Sequence, residues 1–170
     1  MSRSSLAAIA AMLALSACVP ATAPVRPPAG PSPAERLAAV QAASGGEDNE
    51  LAVQPLRDPQ VEDLRQKAAR AMAARDYAAA AAALDHALRI VDEDPAVLQE
   101  RAEAALAQGE YERAQALAQK AIGLGSAVGP LCHRHWATIE QAQLVRGLAA
   151  EAAASHARIE GCTVAGVERM

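Results

Sequence analysis

Leu98-Gln99-Glu100-Arg101-Ala102-Glu103-Ala104-Ala105-Leu106-Ala107-Gln108-Gly109-Glu110-Tyr111-Glu112-Arg113-Ala114 is the stretch whose reading decides the fold. Its apolar residues keep helical spacing up to Leu106, break at Gly109 and resume beyond Tyr111, which describes a helix, a tight turn and a second helix. The same pattern stands 34 residues upstream. There Leu64, Ala68, Ala71, Asp76-Tyr77, Ala80 and Ala87 occupy the places of Leu98, Ala102, Ala105, Glu110-Tyr111, Ala114 and Ala121. A fixed period of this size marks stacked supersecondary units. The chemistry of the recurring residues suits that reading. Ala68, Ala80, Ala102 and Ala114 fall where the two helices of a pair cross, and small side chains there let the axes approach. Tyr77 and Tyr111 follow the turns and cover the hairpin ends.

A third unit follows a short insertion from Gly123 to Arg134: Trp136, Gly147 and Ala152 sit at one common shift from Leu98, Gly109 and Ala114. Glu140 then occupies a small-residue position, so the third hairpin packs differently, or is displaced by a turn, or is a capping pair. Each hairpin buries its apolar face only against neighbours, and three complete a minimal stack.

These residues resemble the tetratricopeptide-repeat (TPR) family, most clearly from Leu98 and Ala102 through Gly109-Glu110-Tyr111 and Ala114 to Ala121-Ile122. The resemblance covers about the last hundred residues. It departs from the family at Lys67 and Arg101, where leucine is usual, and at Arg75, which replaces the turn glycine. The family's late proline is also missing. Asp94-Pro95 instead supplies an N-cap and a first-turn proline. The expected fold is all-α, a TPR-like stack of about three antiparallel hairpins, with Leu64, Leu98 and Trp136 joining the alanines and tyrosines in repeat packing. By register alone, the resemblance implies a protein-binding groove on the first helices of the pairs. It would be lined by Arg65, Ala69 and Met72, by Gln99, Glu103 and Leu106, and by Thr138, Gln141 and Val145.

Composition agrees with helices and excludes one class of partner. Alanine dominates, there is no phenylalanine, one tryptophan and two tyrosines are present, and the net charge is −4. Alanine loses no rotamer entropy in a helix. A nucleic-acid surface needs basic patches and stacking aromatics, which this chain lacks.

The first residues point to export. Arg3 precedes the apolar run Leu6 to Leu15, which reads as a secretory signal and is too short for a permanent span. Leu15-Ser16-Ala17-Cys18 resembles a bacterial lipobox, which implies a signal peptide over 1–17 and lipidation at Cys18. Val19-Pro20, with no aspartate after the cysteine, implies sorting to the outer membrane, facing the periplasm. Two or three acyl chains make such an anchor stable. Residues 18–60 are rich in proline and alanine and read as a flexible tether able to reach on the order of 100 Å. Inside it, Ser32-Pro33-Ala34-Glu35 forms a capping-box pattern followed by Leu37 and Val40 and stopped at Gly45-Gly46. A helix so short is marginal alone. The helical domain is expected over 61–162, with a tail over 163–170.

Cys132 and Cys162 remain for an oxidising compartment, and antiparallel packing of the third pair brings them to the same end, so a structural disulfide is expected. His133 and His135 beside Cys132 invite a metal reading, but residues one apart on a helix face different ways and four ligands are not visible. No nucleophile elbow, phosphate loop or zinc-protease helix is present, so neither catalysis nor a cofactor nor a small-molecule substrate is expected.

The whole layout is similar to small TPR outer-membrane lipoproteins that stimulate bifunctional penicillin-binding proteins. That implies a periplasmic or inner-membrane protein partner reached across the cell wall. Pilotin-like lipoproteins that assemble pilus or secretion secretins share the layout, and a metal-binding lipoprotein is the remaining alternative.

Overall fold

The computed structural model describes residues 30–44, 58–125 and 127–163. Residues 1–17, the lipidation candidate Cys18, the flanks of the expected tether and residues 164–170 lie outside them. Among the described residues all regular structure is α-helical. The helices are α1 (Pro33–Ala43), α2 (Pro59–Ala73), α3 (Tyr77–Ile90), α4 (Pro95–Gln108), α5 (Tyr111–Gly123), α6 (Gly129–Val145) and α7 (Ala149–Glu160).

Six of these helices make three consecutive hairpins, α2 with α3, α4 with α5 and α6 with α7, and each hairpin packs on the next through α3 against α4 and α5 against α6. The turns explain the order. At each one a residue in the left-handed region closes the first helix, namely Arg75 (φ 60°), Gly109 (φ 83°) and Gly147 (φ 74°). The next residue's N–H reaches back five residues, Asp76 to the Ala71 carbonyl, Glu110 to that of Ala105 and Leu148 to that of Gln143, at 2.9–3.0 Å. Each left-handed residue donates three residues back, to Met72, Leu106 and Leu144. This is the Schellman arrangement, which satisfies the last carbonyls of a helix. Its threefold recurrence fixes the third unit in the register read from Trp136, Gly147 and Ala152. Arg75 adopts the glycine conformation without being glycine.

The starts of α2, α3 and α4 follow their aspartate caps. The Asp94 carboxylate accepts from the backbone N–H groups of Ala96 (2.8 Å) and Val97 (3.1 Å) with Pro95 at the first position. Asp58 caps α2 in the same way through Gln60 (2.8 Å), so the helical domain begins at Pro59, two residues before the expected Val61. Asp76 caps α3 through Ala79.

The alanines at the crossings are buried: Ala68, Ala80, Ala102, Ala114 and Ala152 are all at most 2% exposed. Leu98 is equally buried, while Leu64 packs on the edge of the first core cluster with Met72 and Leu88. Trp136 packs with Ala102, Ala118 and Ile139. Tyr77 and Tyr111 are half-buried, and the Tyr111 ring lies against the Gly109 turn. In the third hairpin Glu140 and His156 take the places that Ala102 and Ala118 hold in the second, and the His156 Nδ1 to Glu140 Oε1 distance is 3.1 Å. This third pair therefore exchanges an apolar crossing for a polar one. Arg101, at a position where leucine was the family norm, is buried and extends its Nε to the Asp85 carboxylate at 2.7 Å, tying α4 to α3.

The expectation of a tether without packed structure over 18–60 is corrected within it. The capping box at Ser32 and Glu35 is formed in both directions, and α1 packs against α4 and α6. Packing supplies what an eleven-residue helix cannot supply alone.

Candidate functional site

The first helices of the three hairpins, α2, α4 and α6, present a common face. Its residues are joined across the helices by polar contacts. Arg65 of α2 forms a two-pronged ion pair with Glu100 of α4 and also reaches Glu62 at 3.1 Å. Between α4 and α6 the contacts are denser. The Gln99 amide nitrogen donates to Glu103 (2.8 Å), to the Thr138 hydroxyl (2.8 Å) and to the Arg134 carbonyl (3.2 Å). The Arg134 guanidinium reaches the same Glu103 carboxylate at 2.7 Å and 2.9 Å.

Burial sets the charge states in this seam. Glu103 is 4% exposed, and loss of hydration pushes its carboxyl above the ordinary carboxylate range while Arg134 pulls the other way. His135 is fully buried, and burial together with the neighbouring Arg134 lowers its imidazole to about 4. The ring is therefore neutral at pH 7. Its Nδ1 lies 2.6 Å from the Gln99 side-chain oxygen, which can only accept, so Nδ1 carries the proton and Nε2 is left as a buried atom without a partner. The neighbouring His133 faces elsewhere, with Nε2 3.4 Å from the Thr163 hydroxyl.

On this face lies α1. It uses one stripe: Arg36 and Val40 are buried, Leu37 and Ala43 partly so, while Glu35, Ala38, Ala39 and Ala42 face solvent. That spacing is the apolar stripe of an amphipathic helix. Val40 enters a cluster with Ala105, Leu106, Ala137 and Ala142. Arg36 stands over the Tyr111 ring, 5.7 Å from its centre, with a long contact of 3.4 Å to the Tyr111 hydroxyl. Gln41 donates to Glu103 at 3.1 Å. Beside α1 a cavity of about 330 Å³ stays open between it and α2, bounded by Leu37, Gln41, Met72, Glu100, Glu103 and Arg134 among others.

The groove residues nominated from register divide accordingly. Arg65, Ala69 and Met72 line the cavity. Gln99, Glu103, Leu106 and Thr138 do lie on the inner side of the first helices, but they are buried, so their assignment to an open groove is corrected. Gln99 and Thr138 are consumed by α4 to α6 contacts, Glu103 also accepts from Gln41 of α1 and still borders the cavity, and Leu106 shares an apolar cluster with Val40 of α1. Gln141 is half-buried, and Val145 is exposed at the end of α6 beside Leu144. Sequence reasoning read Val40 only as part of a short capped helix and missed Arg36, Gln41, Glu100 and Arg134 as members of this face. The alternation of Arg36 and Val40 four residues apart was the available signal.

At the far end of the third hairpin Cys132 and Cys162 are joined by a disulfide, both side chains buried, with Cα atoms 5.7 Å apart. The Gly129 N–H donates to the Cys162 carbonyl at 2.8 Å and closes the same junction. Comparison with protein-family models, curated proteins and solved structures finds no match for this chain.

Proposed function

We propose that this chain is a TPR-like protein-binding scaffold, lipid-anchored through Cys18 to the outer membrane and facing the periplasm, which activates a peptidoglycan synthase of the bifunctional penicillin-binding type. The observation that carries the binding part is α1 seated across α4 and α6: the face made by the first helices accepts a helix. Three hairpins closed by the same turn, at a spacing of 34 residues between the first two, support the repeat reading. The buried disulfide suits an oxidising compartment. The lipobox pattern supplies the anchor, and the roughly fifteen residues between it and α1 supply a reach on the order of 50 Å when extended.

The test is capture of partners by the full chain in intact cells after brief crosslinking, with glycan polymerisation by the purified synthase measured with and without the chain. Recovery of the synthase and faster polymerisation are expected. Recovery of secretin subunits and no synthase would make the activator reading wrong.

A further inference from the structure

The first-helix face is already occupied, and the occupant is poorly fitted to it. Val40 fills the cluster around Leu106, yet Arg36 is buried with its Nε atom unpartnered. Its guanidinium meets the Pro31 carbonyl, the face of the Tyr111 ring and, at 3.4 Å, the Tyr111 hydroxyl. A buried donor left without a partner is a standing penalty on the docked state. Next to α1 the cavity of about 330 Å³, with apolar walls from Leu37, Met72 and Leu84, goes unfilled. That is the lower end of the size range of a ligand pocket. A helix this short has little intrinsic stability. Being part of the same chain, α1 competes intramolecularly, at an effective concentration of about 1 mM, without needing high affinity.

We propose that α1 is a resident self-ligand and that the true occupant of this face is a partner's amphipathic helix that displaces it. The proposal rests on the binding-scaffold reading above and gives the partner segment its chemistry. The ligand is a helix with an aliphatic β-branched residue set against Leu106 and Ala137 and, one turn earlier, a side chain over Tyr111 that leaves no buried donor unpartnered. A donor follows the aliphatic residue and meets Glu103. A bulky apolar side chain at the place of Leu37 enters the cavity that α1 leaves empty. This is helix-in-groove recognition, read from anchors at i and i+4.

The experiment uses the full chain and a fluorescent peptide spanning residues 32–44. Ala39→Pro melts α1 from its solvent side and leaves every residue of the seat unchanged. A second variant, Val40→Asp, expels α1 by charge; retained helical content and melting behaviour of the hairpins show that each variant is folded. Fluorescence anisotropy is expected to give at least tenfold tighter peptide binding by both variants than by the native chain. A peptide carrying Leu37→Phe is expected to bind several-fold tighter than the native peptide, and one carrying Val40→Asp not to bind. Equal binding by native and variant chains, or none by any, overturns the proposal. A weaker Leu37→Phe peptide removes the cavity from it. If released chains bind peptide while the native chain recovers no synthase, the synthase assignment falls and the self-ligand stands.

Discussion

Val40 of α1 and Leu106 of α4 are both fully buried, and they belong to one apolar cluster. The cluster also takes in Ala114 of α5 and Ala137 and Ala142 of α6, so α1 joins the stack where three helices already meet. Val40→Ala removes two methyl groups from this contact and costs about 2 kcal/mol of docking. The expected signature is local. Amide hydrogen exchange over residues 33–43 accelerates by more than tenfold while α2 to α7 keep their protection. Uniform acceleration over all helices would mean that α1 holds the whole stack together.

The disulfide closes a loop of 30 residues around the third hairpin. Loop-closure entropy alone assigns it about 3.5 kcal/mol. Replacing both cysteines, Cys132→Ser with Cys162→Ser, is expected to lower the urea midpoint and to expose α6 and α7 to exchange before the first hairpin. An unchanged midpoint would place the stabilisation elsewhere.

His135 makes stability depend on acid. Its folded imidazole titrates at about 4, below the ordinary value of 6.5, so the unfolded chain binds the proton first. The stabilisation is complete above pH 6.5 and is lost as pH falls toward 4, by a total on the order of 3 kcal/mol. Glu103 shifts upward and slopes the other way, its contribution weakening as pH rises through its raised folded value. His135→Asn keeps a donor for Gln99 and removes the proton site. Urea unfolding from pH 7 to 4 should show a smaller loss for this variant than for the native chain, and parallel curves would remove His135 from the account.

Arg75 holds a left-handed backbone that Gly109 and Gly147 adopt at equivalent turns. Arg75→Gly relieves that conformation and is expected to raise stability by about 1 kcal/mol, net of glycine's greater freedom when unfolded. Gly109→Ala tests the same idea in reverse. An added Cβ would sit 3.7 Å from the Tyr111 hydroxyl, which is ordinary contact, so the cost is conformational and about 1 kcal/mol. A much larger loss on thermal melting would mean that Tyr111 is also displaced.

The hairpins were legible because their determinants are local and repeated. An alanine at each crossing, an aspartate before a proline and a left-handed residue at each turn can be read without knowing what lies opposite. Glu140 was legible as an exception, and its partner His156 explains how the third hairpin accommodates it. The inner face was harder to read because burial is a property of pairs. Gln99 looks like a solvated residue until Arg134, His135 and Thr138 arrive from more than thirty positions away. The segment around Val40 announced where its helix begins through Ser32 and Glu35. The spacing of Arg36 and Val40 marked a contact face, but nothing within that segment named α4 and α6 as its seat.

The His156 to Glu140 contact in α6 and α7 has a consequence for assembly. Open-ended arrays grow when the last unit offers a greasy flank like the one beneath it. Here a newcomer would have to desolvate a carboxylate and an imidazole before touching the helices, so this flank disfavours end-to-end stacking of further units.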